Sequence, residues 1–440
     1  MLNVFQIGIR NITIVKMTIF NNIKLKNNLR LNQIISLLSI NVISIPLGLI
    51  SSILITRYLG AKDFGNYMFV YNIISMAIIL GTFGFFQAGN RAIILSKNKN
   101  QIKEYFGAQL IIALGIFLFI YCILLVYINF DTNISDKGLK SIFFWVLPFT
   151  WVYILVKYFE VLFQADNEIK LLGKTRLYPK IIFTSLIALI YIFYEDFSYS
   201  KLVLVYYCFL LSQIIVFLYV IFKLEISFKN FKLRIYEIWE LNKSFGINVY
   251  IGSVFALGFA ELSAVLISYY GIDNTGVGFY ALAITIAAPL SFIPNTIATT
   301  HYKDFSNADK VSKKALFLTL GITLLVLIFS WLLISPFIRI FYGIEFEEVI
   351  NLFYIVSIGV TLYGLADFYN RFLGANGQGK MLRNSSFLVG LSLLVFNLTL
   401  IPFWGEVGAA WTKALTGMVY LLSVIYHYNK FKLTKNKKNV

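Results

Sequence analysis

The sequence predicts an all-α integral membrane protein with about twelve transmembrane helices, arranged as two six-helix lobes around a central cavity. Three observations carry that expectation: an apolar composition, a one-sided distribution of basic residues, and an internal duplication. Of the 440 residues, 59% are hydrophobic and only 13% charged, with a mean hydropathy of +0.76. Soluble globular domains do not reach that balance.

About 20 apolar residues in a helix span the hydrocarbon core, and twelve segments meet this length. They run over 34–56, 67–89, 106–128, 141–164, 177–194 and 200–222 in the first half, and over 244–269, 278–300, 314–338, 349–370, 381–402 and 407–428 in the second. The corresponding organisation is a tail (1–33), a first lobe (34–223), a linker (224–243), a second lobe (244–428) and a basic tail (429–440). Residues 1–33 hold no clean apolar core ending in small residues, so a removable signal peptide is not expected. Met17 is an alternative start.

Lys and Arg collect on the cytoplasmic side of membrane proteins. Of the 38 present, 29 fall in the two tails and the even-numbered loops, and six on the opposite side. Both termini are therefore expected in the cytoplasm. The net charge of +17, dispersed over short loops, suits topology and anionic lipid and points away from nucleic acid. Cys122 and Cys208 both lie within spans and indicate neither a disulfide nor a metal site.

The halves repeat. Gly65-Asn66-Tyr67 aligns with Gly278-Phe279-Tyr280 at an offset of 213, each opening the second span of its half, and Ala165 in "FQADNEIKLLGK" aligns with Ala375 in "FLGANGQGKMLRN" at an offset of 210. An even number of spans per repeat makes the repeats parallel, related by an axis along the membrane normal. Two such lobes enclose a cavity, and a cavity opening alternately to each side is a transporter design.

The stretch "RYLGAKDFGNY" at 57–67 separates two spans. Gly60 suits the left-handed end of the first helix and Asp63 a cap on the next, while Gly65 removes bulk from a tight turn. Arg57, Tyr58 and Tyr67 suit interfacial anchors. The turn reads either as a plain hinge between spans or as the closure of an outer gate.

Charges within spans are the candidates for chemistry, because each costs about 2.5–3.5 kcal/mol at a helix centre. Lys157 and Glu160 share a helix face, free to pair or to snorkel to the interface. Glu261 lies deep in the seventh span, where a carboxylate out of water favours taking up a proton or sodium ion, unless a basic group such as Lys413 pairs with it. Asp367 and Arg371 sit near a span end, where capping and interfacial roles are expected. Pro46 with Gly48, and Pro289 with Pro294, mark helices expected to bend.

The chain resembles the bacterial polysaccharide flippases, the Wzx type of the multidrug/oligosaccharidyl-lipid/polysaccharide exporter superfamily, over residues 34–428. The resemblance rests on "RYLGAKDFGNY", "GVGFYALA", "GANGQGK" and "WGEVGAAWTKAL". It implies an undecaprenyl-pyrophosphate-linked oligosaccharide as cargo, carried to the outer leaflet for O-antigen or capsule assembly, with a proton or sodium gradient as the driving force. Glu261 and Glu160 are then the candidates for cation coupling. For a pyrophosphate route the candidates are Arg91, Lys157, Lys180 and Lys413, with Gln87 and Asn90 facing sugar hydroxyls. Positive-inside anchoring is the plainer reading of Arg91 and Lys180.

The chain is expected to act as a monomer, beside a polysaccharide polymerase and a chain-length regulator. The chain contains no phosphate loop of the GxxxxGK[ST] form, so no ATP machinery is expected. A multidrug or lipid II exporter of the same superfamily is the alternative. A membrane polymerase or ligase fits less well, because such enzymes need a sizeable outer loop and the outer loops here reach only about twelve residues.

Overall fold

The computed structural model describes residues 29–438 except 97, 167, 194–199, 302–304, 306, 307 and 309. The tail through residue 28, with Met17, and the last two residues of the basic tail lie outside the described residues. Every regular element among the described residues is helical.

α1 (Leu29–Gly81) is two crossings joined at Gly60, whose φ of 76° and ψ of 175° interrupt the helix. A residue without a Cβ takes that conformation at least cost, as expected for this glycine. The helix resumes at once, so Asp63 lies inside the first turn of the second limb and does not cap it. Its Oδ1 accepts from Asn66 Nδ2 at 3.2 Å. α1 runs unbroken past Pro46.

The second limb ends at Gly81, short of the expected residue 89, because Phe83 (φ 45°) and Gly84 (φ 81°) turn the chain. The separate helix α2 (Phe85–Leu95) follows, burying Phe86, Ala88, Gly89, Ala92 and Ile93 on one face. α3 (Lys99–Phe130) is capped by Asn98, and the short α4 (Thr132–Asp136) by Asp131. The fourth crossing is α5 (Lys140–Val146) and α6 (Thr150–Ala165), bent through Leu147–Phe149 at Pro148. α7 (Ile169–Phe193) starts eight residues before the expected 177, passing through Pro179. Its first two turns look like loop in sequence because they carry Lys174 and Arg176. α8 (Lys201–Lys223) completes the first lobe.

The linker is itself helical over α9 (Phe231–Leu241), tied to α3 by Arg234, which donates to Glu104 at 2.8 Å and to Glu237 at 2.6 Å. The seventh crossing comprises α10 (Ile247–Ser253) and α11 (Phe259–Tyr270), with π-helical turns at Asn242–Gly246 and Val254–Gly258. Such turns are frequent where a helix serves a functional site. α12 (Thr275–Ala287) and α13 (Pro289–Thr300) form the eighth, broken at Pro289 as expected. α14 (Lys313–Phe341), α15 (Glu348–Ala375) and α16 (Gly379–Lys438), the last kinked at Gly405 with φ 55°, complete the second lobe.

Ten of these helical stretches are long and apolar enough to cross a bilayer. Val42–Gly81 and Gly379–Thr434 each cross twice by turning at Gly60 and Gly405, which brings the described total to twelve. Along α14, Phe317, Leu325 and Leu332 are 70%, 67% and 72% exposed, a surface that only lipid covers without penalty.

The two lobes meet closely at the end away from the basic loops. A Cβ on Gly65 would fall 1.9 Å from the Asn274 carbonyl oxygen, so the α1 limb and the start of α12 pack backbone to backbone. Asn274 is fully buried; its Nδ2 donates to Asn66 Oδ1 at 2.9 Å, and its Oδ1 accepts from Ser268 Oγ at 2.6 Å and Lys137 Nζ at 3.1 Å. Ser52 and Tyr342 share a buried hydroxyl contact of 2.8 Å, and Arg57 donates to the carbonyls of Ile340 and Phe341.

Candidate functional site

A cavity of about 530 Å³ lies between the lobes, in the half nearer the basic loops. Each wall follows helical periodicity. α6 contributes Tyr153, Val156, Lys157 and Glu160; α7 contributes Leu172, Thr175, Arg176, Pro179 and Lys180; the second limb of α1 contributes Tyr71, Ser75, Ile78 and Ile79. α8 adds Phe209, Gln213 and Phe217. Glu261, from α11, is the second lobe's contribution to this lining.

Five charges thus share one cavity. Glu160 is the hub: Arg176 Nη2 lies 2.5 Å from its Oε1, and Lys157 Nζ 3.8 Å from its Oε2. Lys180 stands one turn beyond Arg176 on the same face, and among the described residues no ion pair includes it or Glu261. The lining therefore carries three cations and two carboxylates, with hydroxyls and aromatic faces between them. Such a surface suits an anionic group attached to sugars.

The model of the polysaccharide biosynthesis protein family matches residues 31–302. The chain belongs to that family. It is 24% identical over 425 residues to the capsular polysaccharide biosynthesis protein CapF of Staphylococcus aureus, covering 89% of this chain and 97% of that one. In structure it is similar to the lipid II flippase MurJ in an inward closed conformation, with a TM-score of 0.68 at 15% identity and 90% of each chain covered. An inward-facing multidrug transporter of the MATE family gives 0.65 at 14% identity, over 89% of this chain and 96% of the other. These likenesses show that the family member described here has the MurJ and MATE fold.

Four of the eight residues singled out in the sequence, Lys157, Glu160, Lys180 and Glu261, come together in the cavity. The other four are elsewhere. Lys413 belongs to a cluster inside the second lobe, its Nζ 4.0 Å from the centre of the Tyr363 ring. The alternative in which Lys413 pairs with Glu261 is therefore not what the structure shows; α16 turns the lysine toward α15 instead. In the same cluster Asp367 Oδ1 accepts from Tyr420 at 2.8 Å and its Oδ2 from Asn295 at 3.4 Å, bonds across three helices where capping was expected.

Gln87, Asn90 and Arg91 do not end a span. They sit on the separate helix α2, where Arg91 is exposed over the Phe245 ring at 5.9 Å. Gln87 Oε1 and Asn90 Oδ1 are buried without a hydrogen-bond partner among the described residues. The sequence reading missed Arg176, which the basic-loop count assigned to a connection. Its spacing from Leu172 and Lys180 was the available signal.

Proposed function

We propose that this protein flips undecaprenyl-pyrophosphate-linked oligosaccharide repeat units from the cytoplasmic to the outer leaflet of the bacterial inner membrane, for capsule or O-antigen assembly. The observation that carries this reading is the cationic triad of Lys157, Arg176 and Lys180 in a cavity between two lobes that are packed together at the opposite end. Family membership and the CapF likeness support the polysaccharide side of the reading. In this reading the basic end and both termini are cytoplasmic. The cavity receives the pyrophosphate head from that side, and opening of the Gly65–Asn274 seam releases it outward.

Glu261 couples the cycle to a proton or sodium gradient, with Glu160 as the second carboxylate. The protein works as a monomer in contact with membrane lipid, alongside a polymerase and a chain-length regulator. Arg91, Gln87 and Asn90 guide the cargo from α2, and Lys413 supports the route within the second lobe. A multidrug exporter fits less well, because the lining of three cations against two carboxylates leaves a net positive surface that favours an anionic cargo.

The test is deletion of the gene, followed by measurement of surface polymer and of the leaflet that holds single-repeat lipid-linked oligosaccharide. Loss of polymer with repeats trapped on the cytoplasmic face is expected. Repeats that reach the outer face and stay unpolymerised would assign the protein to polymerisation instead. For coupling, Glu261→Gln is expected to abolish gradient-driven transport with insertion unchanged; full transport in that variant would exclude the carboxylate.

A further inference from the structure

Glu160 faces both of its neighbouring cations, hydrogen-bonded to Arg176 through one carboxylate oxygen and within ion-pair distance of Lys157 at the other. Arg176 Nη2 meets Oε1 at 2.5 Å and Lys157 Nζ approaches Oε2 at 3.8 Å. The three side chains are 37%, 50% and 33% exposed for Arg176, Lys157 and Glu160, so a ligand in the cavity can reach them. A carboxylate between an arginine and a lysine presents them with one negative charge spread over two oxygens, as a single phosphodiester does. Lys180, one turn along α7, is left without an anion among the described residues.

We propose that Glu160 is a built-in competitor for the phosphate site, which admits a pyrophosphate diester and rejects the single phosphodiester of ordinary membrane lipids. This deepens, and rests on, the reading of a pyrophosphate-linked cargo. A single phosphodiester carries one negative charge. It would displace one carboxylate from Arg176 and Lys157 to put another monoanion there, a near-even exchange that leaves Glu160 unpaired. A pyrophosphate diester carries two charges, placing one phosphate on Arg176 and Lys157 and the other on Lys180. The second contact is the net gain. Specificity is a difference between affinities, and a membrane presents phosphodiester lipids in large excess over any lipid-linked sugar.

The experiment uses the full-length protein in detergent, with dimethyl pyrophosphate and dimethyl phosphate as probes in titration calorimetry. The wild type is expected to bind the pyrophosphate probe at least about tenfold more tightly than the phosphate probe. Glu160→Gln should tighten both probes by a similar factor of about tenfold, which brings the phosphate probe into measurable binding while the ratio set by Lys180 stays. Glu160→Asp, which keeps the charge but shortens its reach to Arg176, should lie between. Unchanged or weaker binding of the two probes in Glu160→Gln overturns the competitor role, as does failure of both variants to fold, which would make Glu160 structural. Arg176→Gln separates the two levels: if it leaves pyrophosphate binding intact, or if the wild type binds neither probe, the cationic-cavity reading itself fails.

Discussion

Gly65 and Gly278, which hold equivalent places in the two halves of the chain, lie against each other: a Cβ on Gly278 would sit 3.0 Å from both the α-carbon and the amide nitrogen of Gly65. The pseudo-symmetric repeat thus brings its own two copies together at the packed end of the molecule. Between the two readings of "RYLGAKDFGNY", this contact favours the gate, since a plain hinge has no need to touch its counterpart in the other lobe.

The glycine contact is asymmetric. On Gly65 a Cβ would lie 1.9 Å from the Asn274 carbonyl oxygen, an impossible approach, whereas Gly278 meets nothing closer than 3.0 Å. Gly65→Ala is therefore expected to hold the seam apart and cut transport by about tenfold or more, with Gly278→Ala milder, at a few-fold. Labelling of a cysteine introduced at Thr275, in a background lacking Cys122 and Cys208, reads the opening. Equal labelling in both variants and the parent would remove the seam from the gate.

Asn66 and Asn274 bond across the lobes while almost fully buried, 7% and 0% exposed. Removing one amide leaves the other unsatisfied, at about 1–3 kcal/mol. Asn66→Ala and Asn274→Ala should each shift the lobes toward the separated form, and the double variant should shift them by less than the two effects added. Spin-label distances across the seam measure this, and strict additivity would show that the amides act independently.

Lys137 reaches from the loop after α4 into the same seam, donating to the Ser268 carbonyl, to Ser268 Oγ at 3.1 Å and to Asn274 Oδ1 at 3.1 Å. Burial lowers its pKa from the ordinary 10.5, with the Asp273 carboxylate partly opposing. When the seam opens, the amine returns to water and binds its proton more tightly. Closure is thus penalised at low pH and becomes more favourable as pH rises through the window below 10.5. Spin-label distances at pH 8, 9 and 10 should move toward the closed form in the wild type and stay flat in Lys137→Met. A flat wild-type profile would rule this linkage out.

The crossings and the duplication were legible because both leave local marks, apolar runs of bilayer length and a repeated triplet that starts with glycine, whereas nothing local said that the two glycines would touch across the lobes. The break after Gly81 was hidden because "TFGFF" continues the apolar run, and only the spacing of Gly81 and Gly84 hints at a turn. Within the site, Lys157, Glu160 and Glu261 stood out as charges amid apolar sequence. Arg176 did not, since near Lys170 and Lys174 it looks like a loop residue. Nor could the sequence tell which way α16 turns Lys413, because apolar neighbours surround it whether it faces the cavity or α15.

Arg176 and Arg91 separate the two uses of a basic residue at this end of the protein. Arg176 lines the cavity and bonds Glu160, so neutralising it removes a cation from the proposed phosphate site and leaves Glu160 held by Lys157 alone. Arg91 lies outside the cavity lining, exposed over Phe245, where a cation–π contact is worth about 0.5–1 kcal/mol. Arg176→Ala is expected to lower repeat-unit transport by about a hundredfold, on the scale of a lost charge-assisted bond pair, and Arg91→Ala by no more than a few-fold. Arg91→Lys should restore the small deficit because the lysine keeps the charge near the aromatic ring, whereas Arg176→Lys should not recover full transport, because an ammonium lacks the planar fork that engages phosphate. Complementation of the deletion strain, with surface polymer normalised to protein abundance, ranks the four variants. A larger loss at Arg91 than at Arg176 would move the phosphate site out of the cavity and onto α2.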